Sequence, residues 1–101
     1  MPKLFRYLGV LVFFYSNEHE PVHVHGRFQG CENKAVFHIE NGQIRSIEIL
    51  PVRGKRPLPP AKCKAFETVV NAFADTIVRS WVDYFVYHRP LKCIEIEGSI
   101  R

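Results

Sequence analysis

Three of the five histidines and two glutamates fall in one short stretch, Ser16 to Gly26, reading SNEHEPVHVHG. No other segment gathers as many groups that can move a proton or bind a metal. His23 and His25 stand at i and i+2, so on a strand both rings leave the same face, with Cα atoms ~6.5 to 7 Å apart. In that geometry a sheet can hand two imidazoles to one metal ion. Zinc commonly takes four ligands, three of them from protein in a catalytic centre. His19, Glu18 or Glu20 would complete such a set if the loop before the strand folds back. The sequence establishes no cofactor; a divalent metal such as zinc is the one that His23 and His25 could take.

The same residues suit metal-free acid–base chemistry. Histidine titrates near neutrality, and a neighbouring glutamate holds the ring in one tautomer. With His23, His25 and His19 as the catalytic candidates, and a cation such as Arg27 or Arg45 to stabilise developing charge, the set would serve phosphodiester cleavage in RNA. A third reading leaves chemistry out. Ser16, Asn17 and Glu20 then cap a turn through bonds to backbone amides, Pro21 stiffens it, and the histidines are half-buried sheet residues.

These groups need a scaffold, and the flanking sequence reads as strands. Leu4 to Leu8 is a first strand, with Gly9 marking a turn or bulge. Val10 to Tyr15 is apolar on both faces, as in a central strand covered on both sides. Asn17 to Pro21 is a loop. Val22 to Phe28 resumes as a strand that Gly26 could bulge. Gln29 to Asn33 reads as a polar connection. Lys34 to Glu40 and Gln43 to Leu50 then flank Asn41-Gly42, whose two residues tolerate the positive φ of a type I′ turn. A two-residue turn sets Ile39 opposite Ile44, His38 opposite Arg45 and Val36 opposite Ile47.

Pro51 to Pro60 (PVRGKRPLPP) is a proline-rich, basic connector that favours an extended path. One helix follows from Pro60 or Ala61 to about Arg89, where Pro90 stops it. Phe66, Val69, Val70, Phe73, Ile77, Trp81, Tyr84 and Phe85 share its broad apolar face. Val78, Val82 and Val86 form a second, narrower line, which a C-terminal strand or a second copy of the chain would cover. Ile94 and Ile96 alternate with Glu95 and Glu97, as in a half-exposed strand. The expectation is a single α+β domain over residues 1–101: an antiparallel sheet of about five strands, one long helix across it and a C-terminal strand, in the order β-β-β-β-β-α-β. Residues 51–60 are its connector and 91–101 its final strand and tail.

The composition, 47% hydrophobic and 24% charged, is that of a globular rather than a disordered chain. The net charge of +4 inclines the protein toward anionic partners, nucleic acid among them. That charge concentrates in Arg53, Lys55, Arg56, Lys62 and Lys64, with no acidic residue intervening; such a run either neutralises phosphates or is a solvated linker. Cys31, Cys63 and Cys93 are odd in number and form no C-x-x-C pair, which argues against a disulfide scaffold and for a reducing cytoplasm. Lys3 and Arg6 before the apolar run imitate a signal peptide. No small-residue cleavage site follows, however, and the run is too short to span a membrane.

Phe13 to Gly26 (FFYSNEHEPVHVHG) resembles the N-terminal signature of a family of small bacterial proteins catalogued as domain of unknown function 4160, and Ser80 to Phe85 (SWVDYF) is similar to that family's aromatic helix end. The resemblance implies a compact α+β domain in a bacterial cytosol, encoded beside another small protein as part of a toxin–antitoxin-like module. It supplies no established activity, and makes Ser16, Asn17, Glu18, His19, Glu20, His23 and His25 signature residues. Two functions follow as expectations. One is a partner-binding component of such a module, with nucleic-acid contact. The other is a histidine-dependent, ribonuclease-like toxin enzyme, metal-assisted in one version. The partner would be the protein of a neighbouring gene, with self-association through Val78, Val82 and Val86.

Overall fold

The computed structural model describes residues 2–17 and 21–100. Its elements run β1 (Lys3–Tyr7), β2 (Val10–Phe13), β3 (His23–Phe28), β4 (Cys31–Glu40), β5 (Gln43–Pro51), α1 (Pro60–Ala72), α2 (Ala74–Phe85) and β6 (Ile94–Ile96). The α+β class stands, with two changes of detail. The strands form one mixed sheet in the order β5-β4-β3-β2-β1-β6, because β6 joins β1 in parallel. The single long helix is two helices, broken at Phe73.

Three two-residue turns build the meander. Leu8-Gly9, Gln29-Gly30 and Asn41-Gly42 all have positive φ at both positions, and each is flanked by a closing strand pair: Tyr7 with Val10, Phe28 with Cys31, and Glu40 with Gln43. Double positive φ matches the right-handed twist of the strands it joins. The Gln29-Gly30 turn corrects the expected polar connection over 29–33: Cys31, Glu32 and Asn33 lie within β4.

In the last hairpin Ile39 faces Ile44 as expected, but a bulge after it pairs His38 with Ser46 and Val36 with Glu48. The extra residue has a clear effect. Without it Ile47 and Ile49 would turn to the opposite face; with it they lie opposite Phe37 and Ala35 and pack against the core.

The helices cover one face of the sheet. Val10 and Val12 of β2, Val24 of β3, and Ala35 and Phe37 of β4 meet Ala65, Phe66, Val69, Val70, Ile77 and Trp81. Burying each valine, isoleucine or phenylalanine of this set is worth about 2 kcal/mol. Gly26 produces no bulge. It pairs in register with Val12 and Asn33, and a Cβ there would come within 2.5 Å of the Phe66 ring. Glycine is present because the helix approaches the strand closely.

The break at Phe73 (φ −118°, ψ 29°) has no side-chain cap. The Phe73 ring stacks on Phe5 at 5.1 Å. The apolar face continues through the break. α2 ends at Phe85 rather than near Arg89; left-handed His88 (φ 55°) turns the chain so that the Arg89 N–H donates to the Asp83 carbonyl at 2.9 Å. Val78 and Val82 pack against the core, while Val86, just beyond the helix, is 54% exposed, so the three valines do not form one uniform exposed line. No helix among the described residues is long and apolar enough to cross a membrane.

The proline-rich connector is pinned to the sheet. Asn33 accepts the Leu58 N–H on Oδ1 at 2.7 Å and donates from Nδ2 to the Leu50 carbonyl at 3.2 Å. The Glu32 N–H donates to the Arg56 carbonyl at 2.8 Å. Leu58 is thereby drawn into the core.

Candidate functional site

Since Val24 and Gly26 face the helices, strand alternation sends His23, His25 and Arg27 to the other face of β3. Phe13 and Val36, both buried, lie outside the helix-side core cluster. The register explains why: Phe13 pairs with His25, and Val36 with His23. On this second face Tyr15, two residues after Phe13, joins the same group.

The centre of the group is Glu32, 1% exposed. Its Oε2 lies 3.0 Å from His25 Nδ1, and its Oε1 receives Arg27 Nε at 3.3 Å. The Tyr15 hydroxyl stands 3.0 and 3.2 Å from the two carboxylate oxygens and itself accepts Arg27 Nη2 at 3.1 Å. Arg27 and Tyr15 thus bond to each other and to Glu32. The carboxylate is buried, but it carries donors from three side chains and a nearby positive charge, which a buried carboxylate requires. Burial raises the Tyr15 phenol above its ordinary range; the bond from Arg27 opposes this and the neighbouring Glu32 charge adds to it. Burial pulls the Arg27 guanidinium down, but its bonds to Tyr15 and Glu32 outweigh that and hold it above its ordinary value.

Rings complete the packing. His25 stacks on Phe13 at 5.5 Å and meets the Tyr15 ring edge-on at 4.5 Å, and the Arg27 guanidinium lies 4.7 Å above the Phe13 ring. His23 sits 5.1 Å from His25, centroid to centroid, and its Nδ1 is 2.6 Å from the Pro21 carbonyl. A carbonyl and a carboxylate held by donors both accept, so both histidines carry their proton on Nδ1.

The H-x-H pair therefore does share one face. His23 and His25 are 8% and 3% exposed, more deeply buried than half-buried sheet residues. Ser16 and Asn17 are exposed; Glu18, His19 and Glu20 lie outside the described residues. Among the described residues no three His, Cys, Asp or Glu side chains are arranged to hold a metal. Arg45 is at the β4–β5 hairpin, its Nε 4.0 Å from Glu40; Arg27 is the cation the structure brings to the histidines. Glu32 and Tyr15 were not among the expected site residues. The signal for Glu32 lay in Gln29-Gly30, which, taken as a tight turn, sets Glu32 opposite Arg27.

Of the basic run, Arg53, Lys55, Arg56 and Lys64 are exposed. Lys62 is engaged by the fold, donating from Nζ to the Leu8 carbonyl at 2.7 Å and lying 4.6 Å over the Phe28 ring. The three cysteines are free thiols; Cys31, although next to Glu32 in the chain, packs with Cys63 against the helix-side core, and burial, with Glu67 beside it, pushes the Cys63 thiol up. A groove of about 510 Å³ opens between Pro21-Val22 and the far end of β4, floored by Phe37 and edged by His38, Glu40 and Arg45.

No curated protein and no solved structure matches the sequence. The family model described as domain of unknown function (DUF4160) matches residues 9–82, which takes in the whole histidine face, the connector, α1 and most of α2, and the chain belongs to that family.

Proposed function

We propose that the protein is the partner-binding component of a toxin–antitoxin-like pair and that it contacts nucleic acid through its basic connector. The observation behind this reading is that Arg53, Lys55, Arg56 and Lys64 are exposed next to a segment whose path is fixed by the Asn33–Leu58 and Glu32–Arg56 bonds. Fixed cations lose less entropy on meeting phosphates than cations on a loose linker do. The cytoplasm of a bacterium is the setting this reading requires. The test is binding of labelled duplex and single-stranded oligonucleotides, and of the protein encoded beside this one, across a salt series. Neutralising four phosphates of duplex DNA gives a log–log salt slope of about −3.6. Replacing Arg53, Lys55 and Arg56 by glutamine should flatten it by about 0.9 for each cation removed. A monomer that binds neither neighbour nor nucleic acid would sink the proposal.

A second reading has its own support in the His25–Glu32 pair with His23 and Arg27 alongside. A tautomer-fixed imidazole beside a carboxylate and a guanidinium is suited to acid–base cleavage of RNA. The depth of His25 weighs against a polymer substrate. RNA cleavage and growth arrest on expression should both be lost in His23→Ala and His25→Ala; if both persist, the histidines have no part in the activity.

A further inference from the structure

We propose that the cations of the connector grip the phosphate backbone of double-stranded DNA, taking the duplex without reading its sequence. This rests on the connector's role as a nucleic-acid contact and adds which nucleic acid it takes and how. The first observation is the shape of the basic segment. The Lys55 N–H donates to the Val52 carbonyl at 3.0 Å, and Gly54 has a φ of 79°. Val52 to Lys55 is thus a closed turn of type II form, with glycine at its third position. Both ends of the turn are tied to β4: Pro51 pairs with Asn33, and Arg56 bridges to Cys31. Arg53, Lys55 and Arg56 therefore project from a fixed tip whose outer Cα atoms, those of Val52 and Lys55, lie within ~7 Å of each other. Among the described residues none of the three enters an ion pair or a side-chain hydrogen bond. So dense a cluster matches a duplex, which carries a charge every ~1.7 Å of axis, about twice the density of one strand.

The second observation is the absence of rings. Proteins that hold single strands stack the bases on aromatic side chains, and residues 38–65 contain no Phe, Tyr or Trp. Phe28, which pairs with Cys31 beside the connector, packs against the core and carries Lys62 Nζ 4.6 Å over its ring. The third observation is side-chain chemistry. Over residues 51–60 the only side chains with hydrogen-bonding groups are Arg53, Lys55 and Arg56. No hydroxyl, amide or carboxylate is present there to accept from the 2′-hydroxyl of RNA or to pair with the edges of adenine and cytosine. What remains is contact with phosphate oxygens, which carry no sequence information.

The experiment is fluorescence anisotropy of the full chain across a salt series. Its probes are a short DNA duplex of mixed sequence, each of its separated strands, a duplex of scrambled sequence, and the RNA duplex of the first sequence. The DNA duplex should bind about tenfold tighter than either strand, and the scrambled duplex equally well. Arg53→Gln and Lys55→Gln should each flatten the log–log salt slope by about 0.9, to the same extent on both DNA duplexes. Both are surface substitutions that leave the core untouched. Strands bound as tightly as the duplex, a preference between the two DNA duplexes, tighter binding of the RNA duplex, or an unchanged slope in both variants would each overturn the proposal while leaving nucleic-acid contact standing. Failure to bind any probe would remove that contact as well.

Discussion

His25 Nδ1 and Glu32 Oε2 stand 3.0 Å apart although the register sets Arg27, not His25, directly across from Glu32. The carboxylate reaches diagonally to the histidine with one oxygen and to its direct neighbour with the other. One side chain thus joins an imidazole, a guanidinium and a phenol. Glu32→Ala should cost about 3 kcal/mol, because it strands the donors of three side chains and leaves Arg27 without its carboxylate. Tyr15→Phe should cost about 1 kcal/mol, the loss of a single hydroxyl. Urea unfolding of the two variants measures both; equal and negligible losses would show that the network does not hold the face together.

The Tyr15 phenol provides a pH test. Its folded-state value is raised by burial, with Glu32 adding to the effect. A raised folded value means that the folded state holds the proton more tightly than the unfolded chain does. The resulting stability is present below pH ~10 and lost as pH climbs through the raised folded value. Absorbance titration of the tyrosines should therefore show a late phase coinciding with alkaline unfolding, and Tyr15→Phe should remove that phase.

Gly26→Ala tests the close approach of α1. The added Cβ meets the Phe66 ring at 2.5 Å, so the ring must shift within a packed core at a cost of about 2 kcal/mol. In the double variant with Phe66→Leu the two losses should fall short of additivity, since the smaller side chain relieves the clash. Strict additivity would mean that the helix does not press on the strand there.

Asn33→Ala leaves the buried Leu58 N–H without its acceptor, at a cost of about 2 kcal/mol. The loss should be local as well as global. Hydrogen exchange should accelerate at Leu58 and along residues 52–58 more than in β3 or α1. Uniform acceleration would count against the pinning of the connector.

Gln29→Asn should stabilise the protein by about 0.5 kcal/mol, because Gln29 holds a φ of 47°, a left-handed conformation in which asparagine is several-fold enriched and glutamine is not. A lower urea midpoint in this variant would contradict the turn geometry.

The same turn shows where sequence reasoning loses resolution. Asn41-Gly42 announces a type I′ turn by composition, and Gln29-Gly30 makes the same turn without that composition. Reading 29–33 as a connection removed Glu32 from β4, and with it the residue at the centre of the site. His23 and His25 were legible because period-two alternation is the strongest constraint on a strand. The helix break was hidden for a related reason: Phe66, Val69, Val70, Phe73, Ile77 and Trp81 keep helical spacing across it, and no glycine, proline or capping residue marks Phe73. The bulge after Ile39 left equally little trace, since its neighbours Arg45 and Ser46 are ordinary surface residues.

The parallel seam between β6 and β1 sets an order of events in folding. Every other strand pair joins neighbours in the chain, whereas Phe5 must find Ile94, and Tyr7 must find Ile96. Local pairings form early because little loop entropy opposes them, and so distant a pairing closes late. During that interval β1 is an open edge able to recruit another molecule's strand. The short C-terminal strand, secured by the Ile100 N–H donating to the Tyr7 hydroxyl at 3.1 Å, thus acts as a late-arriving guard. A chain ended after Arg89 should retain its meander yet aggregate during refolding, in proportion to its concentration.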